Sequence, residues 1–301
     1  MHLEPEEPRN RVPHGLLNLN KPAGMTSRHA VDCVERLIRP AKAGHAGTLD
    51  PLATGVLVVC VGAATRLIQY VQAMPKLYTA GFLLGRQSPT DDLEGRVTEL
   101  DAPPVPTRAQ LLAAAGAMIG VIRQRPPAFS AVKVAGRRAY DLARKGREVE
   151  LSPRGVTIYR LDLLAYDYPE VRLRIECSGG TYIRALGRDL AASLGTAAVM
   201  ASLVRNAVGG FSLAQAVDPR ELTPENWSKH LMPMARATAG LPQLVLSQAE
   251  IERLHHGLTI VKPDLPAAGD EMAAVDDQGR LAAIVRQREP GVLRPVRCFP
   301  G

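Results

Sequence analysis

A chain of 301 residues is long enough for two domains and needs no disulfide or metal staple to hold a core. Its 46% hydrophobic and 22% charged residues exclude a mainly disordered chain, and no apolar run approaches the roughly 20 residues of a membrane-spanning helix. The formal net charge of +7 favours a polyanionic partner, and the 4% aromatic content makes each Tyr or Phe in a loop informative.

Residues 1–12 read as a polar tail without a signal-peptide pattern. Residues 15–19 are strand-like and end in a turn over 21–27. Thr26 or Ser27 can cap the next helix, whose Val31, Val34 and Leu37 recur at helical spacing until Pro40 stops it. A glycine-rich loop over 44–55 leads into an unbroken apolar run, 56–61, that reads as a buried central strand. Residues 77–85 form another strand, with Tyr78, Ala80, Phe82 and Leu84 on one face, and 107–118 read as a helix. Residues 121–150 then carry eight basic residues against three acidic ones, so the charge excess is local. Strands follow at 156–165 and 171–177, the second with Val171, Leu173, Ile175 and Cys177 inward. Ser178-Gly179-Gly180 turns the chain into a helix striped by Ile183, Leu186, Leu190 and Leu194 and ended by Gly195.

Residues 232–242 read as a linker. Beyond it, Ser247 and Glu250 fit a capping box for a short helix ending at Gly257. A hairpin joins 272–275 to 281–285, and a last strand lies near Val292–Cys298. This C-terminal module of roughly 60 residues is β-rich, net acidic and marginal in size to fold alone. The four cysteines, Cys33, Cys60, Cys177 and Cys298, lack zinc-type spacing and fit a reducing cytosol. Cys60 and Cys177 read as buried small hydrophobes.

The segment most suggestive of chemistry is Gly44-His45-Ala46-Gly47-Thr48-Leu49-Asp50-Pro51-Leu52-Ala53-Thr54-Gly55. No Gly-Lys-Ser/Thr follows, which excludes a P-loop. Two readings stand: a tight loop in which Asp50 caps a turn, or a rigid loop presenting Asp50 as nucleophile or general base. This loop strongly resembles the catalytic motif of the TruB family of tRNA pseudouridine synthases. The likeness continues through Leu19-Asn20-Lys21-Pro22-Ala23-Gly24-Met25-Thr26-Ser27, similar to the family's lysine–proline motif. It extends to Pro127-Ala128-Phe129-Ser130-Ala131-Val132-Lys133 and Gly136-Arg137-Arg138-Ala139-Tyr140, which resemble its RNA-gripping insertion. Cys177-Ser178-Gly179-Gly180-Thr181-Tyr182-Ile183-Arg184 and Ser202-Leu203-Val204-Arg205 resemble its later pocket motifs. The match runs in order from about residue 14 to 210 and more loosely beyond.

The resemblance implies an α/β (α+β) fold: a mixed, largely antiparallel sheet flanked by helices, with a small β-rich PUA-like C-terminal module. It places a catalytic domain over 13–235, with the insertion at about 121–152, and an RNA-binding module over 241–301. It implies that uridine at the start of the TΨC loop (position 55 in usual tRNA numbering) is isomerised to pseudouridine, with no metal, nucleotide or redox cofactor. Asp50 would act as an ionised carboxylate; attack on the base, attack on the sugar and removal of a sugar proton all stay open. Arg184 would hold Asp50 ionised and oriented, without which burial would favour the unreactive acid. Tyr78 would stack on the flipped base and offers a proton acceptor, although alone it also fits a strand core. His45 would fill the space the base vacates, Lys21 and Tyr182 would support the site, and Leu203 and Arg205 would line the pocket. Lys133, Arg137 and Arg138 would grip RNA. A charge run alone also fits a solvated face, but Pro126-Pro127 and Gly136 interrupt this one, and Phe129 and Tyr140 interleave aromatics. Arg188 reads as a helix-face cation.

The implied partner is the tRNA T-arm stem-loop, met by a cytoplasmic monomer with no membrane and no obligate protein partner. The net-acidic C-terminal module suggests a minor or shape-based contact. A non-catalytic tRNA-binding or folding protein on the same scaffold would not need the Asp50–Arg184–Tyr78 set. A guide-RNA-dependent relative fits the compact length and the gripping insertion less well.

Overall fold

The computed structural model describes residues 14–127, 129, 151–263, 265 and 271–300, and the backbone alone of 133–134 and 137–138. The polar tail and most of the insertion, including Ala128, Ser130 and Tyr140, lie outside the described residues.

In chain order, β1 (Gly15–Lys21) precedes α1 (Ser27–Ile38), which Thr26 caps by accepting from the His29 amide at 3.1 Å. Then come β2 (Ala43–His45), β3 (Thr54–Val61), α2 (Ile68–Ala73) and β4 (Lys76–Leu84). A small pair, β5 (Arg86–Gln87) with β6 (Thr98–Glu99), leads to α3 (Arg108–Ala117), which starts in a Thr107–Gln110 capping box. β7 (Gly120–Gln124) enters the insertion, whose described part is the hairpin β8 (Lys133–Val134) and β9 (Arg137–Arg138). The chain returns through β10 (Arg154–Asp167), β11 (Glu170–Cys177), α4 (Ile183–Ser193), β12 (Ala198–Val208) and β13 (Phe211–Ser212). The C-terminal part holds β14 (Gln243–Val245), α5 (Gln248–His255), β15 (Ile260–Val261), β16 (Glu271–Val275), β17 (Leu281–Glu289) and β18 (Val292–Cys298).

The main sheet runs β1-β3-β12-β4-β11-β10-β7, with β2 on β3 and β13 on β12. All of its strand pairs are antiparallel except β12 with β3. The second sheet runs β14-β16-β17-β18-β15. This is the mixed, largely antiparallel architecture with a small β-rich C-terminal module. No helix among the described residues is long and apolar enough to cross a membrane.

The apolar run in β3 follows from burial on both faces. Leu57, Val59 and Val61 pack with α1, while Val56, Val58 and Cys60 face α2 and the C-terminal sheet. A third cluster joins β4, β10, β11 and β12 to α3 and α4. The C-terminal module has its own cluster of Leu246, Ile251, Leu254 and Met272, yet Val275, Leu281, Ile284 and Phe299 belong to the core of β1 and β3. A module marginal in size alone thus borrows a core face from its neighbour.

Two expectations need correction. Residues 232–242 are not a free linker: Met232 and Leu16 exchange backbone hydrogen bonds at 2.8 and 2.9 Å, and Ala237 is fully buried. Their glycine and prolines mark turns, while Met232, Met234 and Leu241 pack on the core. The insertion also starts later than the charge run suggested, because residues 120–124 pair with β10 as the sheet edge. β12, which carries Leu203 and Arg205, escaped sequence reading because buried Arg205 interrupts its apolar pattern.

One glycine is required where β3 meets β12. Gly55 has φ of +100°, and a Cβ there would lie 2.3 Å from the Arg205 carbonyl oxygen. Gly55→Ala is expected to cost roughly 2–4 kcal/mol in denaturant melts. A loss under about 0.5 kcal/mol would show that this junction can shift.

Candidate active site

Register assembles the site. Lys21 pairs with Gly55, Gly55 with Arg205, Arg205 with Tyr78 and Tyr78 with Ile175, forming one rung across β1, β3, β12, β4 and β11. Directly opposed residues share a face, so three distant segments deliver Lys21, Arg205 and Tyr78 to the same side.

The loop between β2 and β3 carries Asp50 and is held along its length. Ser27 Oγ accepts from the Leu49 amide at 2.8 Å and donates to the Leu49 carbonyl at 3.0 Å. Arg205 donates to the carbonyls of Val56 at 2.6 Å and Gly47 at 3.0 Å. Lys21 Nζ donates to the carbonyls of Met25 at 2.6 Å, Pro22 at 3.0 Å and Pro51 at 3.3 Å. Burial lowers the Lys21 ammonium to about 8. Both cations act here as struts of the loop. Each is buried and directs its N–H groups to backbone oxygen.

Arg184, at the start of α4, grips Asp50 through two nitrogens. Nε lies 3.0 Å from Asp50 Oδ2 and Nη2 lies 3.2 Å from Oδ1. Nη1 donates to the Thr90 carbonyl at 2.7 Å and lies 3.4 Å from Asp92 Oδ2, while Nη2 also donates to the Phe129 carbonyl at 3.0 Å. Each of the three guanidinium nitrogens thereby faces an oxygen partner. Asp92 is itself held by the Thr90 hydroxyl at 2.5 Å and the Glu94 amide at 3.0 Å. The Arg184 and Asp92 side chains are 7% and 2% exposed, whereas that of Asp50 keeps 31%. Asp50 is therefore the open end of a buried chain of charge.

Burial lifts the Asp50 carboxyl above the usual aspartate range, and the negative charge of Asp92 adds to the lift. Arg184 opposes both, so it limits the rise without reversing it. Arg184 lies at salt-bridge distance from Asp50, and its charge acts against a burial effect that is larger.

A cavity of about 900 Å³ opens above this chain and is lined by His45, Asp50, Tyr78, Tyr182, Arg184, Leu203 and Arg205. Tyr78 belongs at once to the main core and to the cavity wall. Burial raises its phenol, so the ring presented is neutral. Leu203 adds apolar wall, and His45, which ends β2, joins the lining. Lys21 lies beneath the loop, outside this lining. Lys133 and Arg138 face each other across β8 and β9 with Arg137 alongside; their side chains lie outside what the structure describes.

Several contributors had no sequence signal. Asp92 sits in an irregular segment after β5, and Gln124 ends the sheet edge with its amide bonded to both backbone groups of Tyr182, at 2.8 and 3.0 Å. Lys76 is buried in the cavity wall, where burial lowers its ammonium to about 8. Arg188 is more than a helix-face cation: it pairs with Asp91 at 2.8 Å and donates to the Arg125 carbonyl at 3.0 Å.

Comparison with known proteins decides the family. Residues 35–183 match the model of the TruB family pseudouridylate synthase N-terminal domain. The chain is 40% identical to tRNA pseudouridine synthase B of Dehalococcoides mccartyi, over 95% of this chain and 96% of that protein. It is 42% identical to the Caulobacter vibrioides protein of the same name, with the same coverage of each chain. The chain belongs to the TruB family. Among solved structures, a chain of a Cbf5-Nop10-Gar1 complex superposes with a TM-score of 0.74 at 24% identity, covering 95% of this chain and 84% of that one. At that identity the likeness shows the TruB-type fold alone.

Proposed function

We propose that this TruB-family isomerase converts the uridine at the start of the tRNA TΨC loop to pseudouridine, with Asp50 as the catalytic carboxylate. The chain is a pseudouridine synthase by family, and its near-complete coverage of relatives named for tRNA supports that substrate. The observation that carries the site assignment is the Arg184 grip on Asp50 at the floor of a cavity walled by Tyr78 and Leu203. Binding alone does not require a carboxylate aligned by a buried guanidinium. In the reaction the N1–C1′ bond breaks, uracil turns, and a C5–C1′ bond forms. The C5 proton leaves to solvent and N1 gains one, so the product is an isomer and nothing else is consumed.

In this reading a base extruded from the loop stacks on the neutral Tyr78 ring, with Leu203 as apolar wall. His45 occupies space near the vacated position. Lys21, Arg205 and Tyr182 keep the loop and α4 in place. Residues 13–235 act as the catalytic domain, Lys133, Arg137 and Arg138 grip the T-arm, and 241–301 add a PUA-like RNA contact. The protein acts as a cytoplasmic monomer without a protein partner.

The test is tritium release from C5-labelled uridine in an unmodified tRNA transcript. Release is expected from the parent transcript and not from one with cytidine at position 55. Equal release from both would place the target elsewhere. Binding without release would favour a tRNA-folding protein.

A further inference from the structure

A polyanionic strand entering the cavity needs a cation that is both exposed and uncommitted. Of the described cations that line it, Arg28 pairs with Asp32 and Glu35, and Arg184 pairs with Asp50 and Asp92. Lys76 and Arg205 are buried and donate to backbone carbonyls. Arg154 differs: it is exposed and has no carboxylate partner among the described residues.

We propose that Arg154, held over the Tyr182 ring at the cavity mouth, grips an RNA phosphate flanking the target uridine. The proposal rests on the substrate reading above. The guanidinium carbon lies 4.8 Å from the Tyr182 ring centroid, and Nη2 donates to the Gly180 carbonyl at 3.0 Å. Those two contacts anchor the guanidinium. Nε and Nη1 make no hydrogen bond to the described residues, which leaves donors for phosphate oxygens.

The platform is built by the sheet edge. Arg154 pairs with Gln124 in register, and Gln124 bonds both backbone groups of Tyr182. Tyr182 also precedes the first residue of α4, which has no side-chain cap and no acidic residue in its first turn. The positive end of the helix thus adds to the field at the same place. Two residues on, Arg184 holds Asp50, so the platform and the carboxylate share one stretch of chain. Phosphate is the ligand this chemistry fits: it occurs beside every nucleotide and asks only for charge and a planar fork.

Arg154→Ala is expected to raise KM for a T-arm stem-loop about tenfold, with kcat within about twofold of wild type. The slope of log KM against log salt should become shallower by about 0.7. Arg154→Lys should keep the slope while losing part of the affinity. A stem-loop carrying one uncharged methylphosphonate, placed in turn on either side of the target uridine, identifies the contact. At one position wild type should lose about tenfold and Arg154→Ala nothing further. An unchanged KM and salt slope, or losses that multiply at both positions, would overturn the proposal. So would a variant whose melting temperature falls while KM and slope stay, because the stack would then be structural only. Wild type that neither binds nor isomerises the stem-loop would overturn the substrate reading, and this proposal with it.

Discussion

Asp50→Asn is expected to lower the single-turnover rate by ~10⁴-fold or more while leaving T-arm affinity within a few fold. The amide matches the carboxylate in size but supplies neither the charge nor the basicity that any of the three candidate roles demands. The fold should tolerate it, because Arg184 keeps Asp92 and the Thr90 and Phe129 carbonyls as partners. The RNA contacts proposed here lie on other segments. Tritium release and equilibrium binding, measured on the same preparation, separate the two effects. Parallel loss of both would assign Asp50 to folding.

Removing the guanidinium should have the next largest effect. Arg184→Met leaves Asp50 and Asp92 together without their counter-charge in a site where burial already raises Asp50. Breaking a buried pair from one side costs about 3–5 kcal/mol, which a thermal melt would register. The sign for activity is clear. In the proposed reaction Asp50 works ionised; its folded-state value stands above the ordinary one, and losing Arg184 lifts it further. The acid limb of the rate profile should move to higher pH, with a loss of ~10²–10³-fold at pH 7 that shrinks as pH rises. Stability runs the other way. A folded value above the unfolded one means that the folded state holds the proton more tightly, so stability falls as pH rises through that window. Arg184→Lys, which keeps charge but not the fork, should recover part of the rate. An acid limb that stays at its wild-type position in Arg184→Met would reject the electrostatic role and leave Arg184 an anchor for α4.

Local rules account for what could be read early. The Thr26 cap, the Ser247–Glu250 capping box and the alternation of Val171, Leu173, Ile175 and Cys177 each appear in the structure as expected. Each depends on neighbours a few residues apart. The misread segments share another cause. Arg205 breaks the pattern of β12 because its charge is answered by loop carbonyls about 150 residues away, and no local rule anticipates a buried arginine. Residues 232–242 carry turn residues, yet pack through Met232 and Leu241 against strands at the far end of the chain.

Local patterns carried most element types, the family resemblance and the candidate carboxylate Asp50. Periodicity, caps and an unusual loop are all written in adjacent residues. Which cations are struts and which are open depends on contacts between strands far apart in the chain. The resemblance set Arg184 beside Asp50 and gave Lys21 a supporting role; one rung of the sheet turns Lys21 and Arg205 onto backbone carbonyls, while α4 brings Arg184 to Asp50. Asp92, Gln124 and Arg154 entered only then. The reason is physical: a buried charge is fixed by the partners that satisfy it, and those partners come from strands that meet only after the sheet has closed its register.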